Sequence, residues 1–61
     1  MAYDEETEVN FCYYVGEIVK RDYDLDDGAD LCFNLLESGS IPEDATHFEA
    51  ARIVSQHILQ A

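Results

Sequence analysis

Apolar residues in this chain return at every third or fourth position and almost nowhere at every second. Cys12, Val15 and Val19 stand at i, i+3 and i+7, and Phe11, Val15 and Ile18 make the adjoining stripe. That spacing gathers side chains on one face of an α-helix. No sustained period-two alternation and no Asn-Gly hairpin signal occurs, so strands are not expected. The chain reads as all-α, and its 61 residues as one domain, 1–61.

Local signals divide the pattern into three helices. The first is expected over roughly residues 5–22, with Asp4 or Thr7 as its cap. Glu5, Glu6 and Glu8 in its first turn suit the positive end of the helix dipole. Gly16 either weakens this helix by up to about 1 kcal/mol against alanine or permits a close helix contact. Glu17 stands four residues before Arg21, where the two can pair. Asp26 or Asp27 caps the second helix, and with Asp27 as cap, Asp30 makes a shortened capping box. Leu31, Cys32, Leu35 and Leu36 form its buried stripe, and Gly39 suits a left-handed stop. Ser40-Ile-Pro-Glu43 has capping-box spacing with proline in the first turn. A third helix is therefore expected from there to about Leu59. Phe48, Ala51, Val54 and Ile58 line one face of it, with Ala50 and Ile53 beside them. Short connections between three short helices make a small three-helix bundle.

A bundle this small buries only about 60% of its unfolded surface, which favours a homodimer or a bound partner. Its charge works against compactness. Fourteen carboxylates face Lys20, Arg21 and Arg52, for a net charge of -11, and such self-repulsion lowers stability. Charge of this sign excludes direct binding to nucleic acid and to an anionic membrane; it suits a basic partner. Plain solubility, or an acid-loving host, would also account for it. The first residues lack the basic and apolar segments of a signal peptide, and no run reaches membrane-spanning length. A cytoplasmic location is expected, the host cytoplasm if a phage encodes the chain. Cys12 and Cys32 lie in apolar patterns without CxxC spacing. They read as small buried hydrophobes, with an interhelical disulfide as the alternative.

The densest acidic stretch is Asp22-Tyr-Asp-Leu-Asp-Asp-Gly28. It resembles a calcium loop until the register is tested. With Asp22 at position 1, Asp24 and Asp26 take positions 3 and 5. Asp27 then stands where glycine is needed, and Phe33 stands where a bidentate glutamate is needed. A solvated turn leading to a helix start fits better, and neither a metal nor a cofactor is expected. His47 and His57 are ten residues apart, about 15 Å along a helix, too far to share a metal. Ser38, Ser40 and Ser55 have no nucleophile elbow. No glycine-rich phosphate loop occurs, and an enzyme is not expected. A carrier protein for acyl groups would need Asp-Ser-Leu, whereas Ser40 stands in Gly-Ser-Ile.

Ten of the fourteen carboxylates fall within residues 1–30. Tyr3, Tyr13, Tyr14 and Tyr23, with Phe11 and Phe33, crowd the same half, and Tyr13 falls on the polar side of the first helix. Tyrosine among carboxylates is a common interface composition. Folding the first helix back on the second would make an elongated negative face. Carboxylates one helical turn apart are ~5.4 Å apart, a scale similar to the ~3.4 Å of helix axis per charge on each DNA strand. The residues expected to meet a partner are Glu5, Glu6, Tyr13, Glu17, Asp22, Asp24, Asp26, Asp27 and Asp30.

The order of features is an acidic helix, an Asp-rich turn, Asp30-Leu-Cys32, Glu37-Ser38, Pro42 and a last amphipathic helix. Over roughly residues 9–58 it resembles phage anti-restriction and anti-CRISPR DNA mimics. In those small acidic proteins an Asp-Asp-Leu-type helix start and a downstream proline precede the last helix. This chain is shorter and has no acidic C-terminal tail. The resemblance implies inhibition of a nuclease or restriction complex by occupation of its DNA channel. The rival expectation is a non-enzymatic interaction module, such as an antitoxin-like neutraliser or a small assembly subunit, that binds through Tyr and Phe.

Overall fold

The computed structural model describes residues 4–60, and Tyr3 lies outside them. The fold is a three-helix bundle: α1 is Glu5–Tyr23, α2 is Gly28–Ser38 and α3 is His47–Gln60. No strand occurs among the described residues.

Asp4 caps α1, its carboxylate accepting from the Thr7 amide at 2.7 Å. The hydrogen bonds from Thr7 hold that carboxyl below its usual range. The helix stops at Asp24, which turns left-handed with φ 56°, and its amide donates to the carbonyls of Lys20 and Val19. Aspartate is among the few residues that adopt this conformation at modest cost. Asp27 holds the N-cap position of α2 but differs from a working cap. Its φ is 63° and its carboxylate bonds no amide of the helix. The tight reversal between α1 and α2 uses two left-handed residues, and the second takes the side chain away from the capping position. Gly39 ends α2 in the left-handed region at φ 83°, as its position suggested.

The third helix begins later than the sequence suggests. Pro42 opens a turn that closes with the Ala45 amide on the Pro42 carbonyl at 3.1 Å. Ser40 turns its hydroxyl to Ser38 at 3.1 Å instead of capping. The N-terminal cap of α3 is Thr46, whose hydroxyl accepts from the Glu49 amide at 3.1 Å. Thr46-His-Phe-Glu49 is a second capping-box sequence, and it is the one that starts the helix. A turn between Gly39 and Thr46 is needed to bring the chain across the bundle, so the earlier box is spent on a loop.

The core joins Phe11, Cys12, Val15, Ile18 and Val19 of α1 to Cys32 and Leu35 of α2. Ile41 and Ala45 of the connection and Ala50, Ala51 and Val54 of α3 complete it. One expectation fails here, and one burial was not foreseen. Phe48 is 66% exposed, at the rim of the α3 stripe. Ser55 is fully buried, with its hydroxyl donating to the Ala51 carbonyl at 2.7 Å. That local bond satisfies the one polar group a serine buries, so a small polar residue sits inside while a large ring stays out. Glu8 is the other surprise. Placed by sequence in an acidic first turn, it is 4% exposed, and its Oε1 has no hydrogen-bond partner.

Candidate functional site

Helix α2 runs back along α1 because small residues let the backbones meet. A Cβ on Gly16 would lie 3.0 Å from both the Cβ and the backbone nitrogen of Ala29, and a Cβ on Gly28 would lie 3.0 Å from the Val19 Cβ. The close contact that Gly16 could permit is therefore made. Outside this seam lies an open groove of about 610 Å³. Tyr13 and Glu17 line it from α1, Leu25, Asp26 and Asp27 from the turn, and Ala29 and Asp30 from α2. Four carboxylates thus converge on one concave strip, with Lys20 the single basic group. Lys20 lies 3.9 Å from Asp26, and both side chains are largely exposed. A contact of that kind neutralises little. Tyr13 is 67% exposed, so its ring is available as a flat apolar wall.

Of the residues expected to meet a partner, the fold brings together Tyr13, Glu17, Asp26, Asp27 and Asp30. It separates the others. Glu5 and Glu6 are exposed at the far N-terminal turn of α1. Asp24 is exposed at the end of that helix and is not part of the groove wall. Asp22 faces the other way, into a groove between α1 and α3. Arg21 donates from Nε to Asp22 at 3.0 Å rather than pairing with Glu17 as the i+4 spacing suggested. This hydrogen bond raises the Arg21 pKa further. Sequence reasoning missed Lys20, Leu25 and Ala29 as groove residues. The signal for Ala29 was present, since a small residue beside Gly28 is what a close helix pair requires.

The α1–α3 side has a different make-up. His47 stacks between Phe11 and Tyr14, with ring centroids 4.7 Å from each. Beyond it, Ile18, Asp22, Tyr23, Phe48, Glu49 and Arg52 line an open groove of about 420 Å³. Tyr13 and Tyr14, adjacent in sequence, therefore serve different seams of α1.

Inside the α1–α2 seam, Cys12 and Cys32 are free thiols, both buried. Burial pushes both thiols up, Cys32 far above the usual range. Cys32 is raised further by its hydrogen bond with Cys12, and the Glu8 charge raises both. Thiols held in this way are poor nucleophiles and poor metal ligands. Among the described residues no group of three or more His, Cys, Asp or Glu is arranged to hold a metal ion. No described helix is long and apolar enough to cross a membrane. The chain matches no family model, no curated protein and no solved structure.

Proposed function

We propose that this chain is a phage-type inhibitor that presents carboxylates in place of nucleic-acid phosphates to a basic DNA-binding nuclease of the restriction or CRISPR kind. The observation that supports this most is the α1–α2 groove, where Glu17, Asp26, Asp27 and Asp30 converge beside an exposed Tyr13. Folding gains nothing from that convergence, because like charges held close repel. A row of Lys and Arg built for phosphate would be attracted to it and would release its counterions on binding. The role is non-enzymatic and calls for no cofactor. It is exercised in the cytoplasm of the host cell.

The test is competition against labelled duplex DNA on purified restriction and CRISPR nucleases. The expected result is displacement of DNA from at least one of them, weakening steeply as salt rises from about 0.05 to 0.2 M. A variant with Glu17→Lys, Asp26→Lys and Asp30→Lys should lose displacement entirely while keeping its helical circular dichroism. These three positions avoid Asp24 and Asp27, whose positive φ would strain a lysine. A charge-matched control with Glu37→Lys, Glu43→Lys and Asp44→Lys should keep most of it. Displacement by neither protein, or equal loss in both variants, would remove the groove from the mechanism.

One observation favours a second reading. Tyr14, Tyr23 and Phe48 are large exposed rings on the α1–α3 side, where an interaction module such as an antitoxin-like neutraliser or assembly subunit would bind through apolar area. Binding to a partner that is insensitive to salt and lost on Phe48→Ala would select it.

A further inference from the structure

We propose that the α1–α3 face is where two copies of this chain meet. Tyr14, Ile18 and Asp22 follow one another at four-residue steps along α1, and Phe48 and Arg52 do so on α3, so each set forms one stripe. The groove between them is open, Phe48 is 66% exposed and Tyr23 41%. This is apolar area that the chain itself leaves uncovered.

Charge decides the occupant. On this face Asp22 is bonded by Arg21, while Glu49 and Arg52 share the same stretch of α3. With Arg21 counted through its bond to Asp22, two positive groups stand beside the two carboxylates of this groove, on a chain that carries -11 overall. Two of its three basic residues stand at this one place. A strongly basic partner would meet both arginines here and find four carboxylates gathered in the α1–α2 groove instead. A second copy, by contrast, can approach only where local charges cancel. A two-fold contact sets Arg52 of each copy toward Glu49 of the other and leaves both α1–α2 grooves facing outward. A standard interface takes about 800 Å² from each partner, about a fifth of the 4197 Å² this chain exposes. One long face of a body measuring 28 × 18 × 17 Å is on that scale. The pairing would also supply the buried apolar area that a chain of this length lacks.

Sedimentation equilibrium on the purified chain tests this directly, because its salt dependence is opposite in sign to that of a basic partner. Two bodies of like charge repel over ~30 Å at 0.01 M salt and over ~8 Å at 0.15 M, so added salt tightens the dimer. The expected mass is twice the single-chain 6.9 kDa in physiological salt, falling toward the single-chain value at low salt. Phe48→Glu should give the single-chain mass in both, with helical dichroism unchanged. Tyr13→Glu, in the α1–α2 groove, should pair as the parent does. A parent that stays single in physiological salt, a dimer that survives Phe48→Glu, or one lost equally on Tyr13→Glu would overturn the proposal. Phe48→Glu leaves every groove carboxylate in place. If the parent never pairs yet displaces DNA, the dimer is refuted and the inhibitor reading stands. If the parent pairs but displaces nothing, the reverse holds.

Discussion

Toward α2, helix α1 presents Cys12 and Gly16; toward α3 it presents Phe11 and Tyr14. The small residues bring two backbones into contact, while on the other side rings of α1 meet His47 of α3. Along α1–α2 the apolar interior is closed, and the groove outside it is walled by carboxylates with Tyr13 beside them. Along α1–α3 the interior is closed as well, with Ile18, Ala50, Ala51 and Val54 buried, but Tyr23 and Phe48 stay exposed at its edge beside Asp22, Glu49 and Arg52. The lesson is that the closely packed seam can tolerate like charges at its edge because its stability comes from inside. The α1–α3 seam gathers fewer carboxylates at its edge, and one of them, Asp22, is bonded by Arg21.

The largest effect should come from wedging the close seam open. Gly16→Val places branched carbons where a single Cβ already meets the Ala29 backbone at 3.0 Å. Backbone cannot yield as a side-chain tip can, so the cost should be about 3 kcal/mol, the upper end for overpacking. A domain of this size has a total stability of only about 3–9 kcal/mol, so the urea midpoint should drop severely. An unchanged midpoint would mean the helices are not in contact there.

A smaller effect reads the interior of the same seam by pH. Both thiols are held above the ordinary value of about 8.5, so the unfolded chain gives up these protons first as pH rises. It then binds fewer protons than the folded chain, and stability falls from about pH 8.5 upward, by at most ~1.4 kcal/mol per pH unit for each thiol. Below that pH the thiols contribute no slope. The Cys12→Ala, Cys32→Ala protein should lose this alkaline component, and the native parent should react with a thiol reagent only as fast as it unfolds. Rapid reaction of the folded protein would show that the seam is not closed.

Glu8 is the flaw in that seam, a buried carboxylate whose Oε1 has no partner. Glu8→Met keeps length and helix preference and removes the unsatisfied oxygen. It should raise stability by about 1 kcal/mol, the desolvation cost recovered less the lost interaction with the helix dipole. A loss of stability would show that the carboxylate has a use in the folded chain. The smallest effect belongs to the α1–α3 seam. Phe48→Ala removes a largely exposed ring, and at low salt, where copies repel, it should change stability by less than about 0.5 kcal/mol.

Much of this was legible in the residues. Periodicity placed α1 and α2, Asp4 was one of two candidate caps, Gly39 marked an end, and a close contact was one of two readings of Gly16. The start of α3 was not legible, because Ser40-Ile-Pro-Glu43 and Thr46-His-Phe-Glu49 have the same local grammar. Only the path across the bundle chooses between two boxes of equal local merit. The candidate site was half legible. Composition identified the acidic residues, but Asp22 at the end of α1 and Asp26 four residues on in the turn end on different grooves.

By itself the sequence determined that the chain is helical, that it is divided in three, and that it carries far more negative charge than a fold requires. These properties follow from neighbours within one turn of helix and from simple counting. Tertiary structure alone decided which carboxylates converge, that Tyr13 and Tyr14 part company, that Glu8 goes inside and that Phe48 stays out. Each of those depends on how closely two helices approach and at what rotation, and side chains distant in sequence set both.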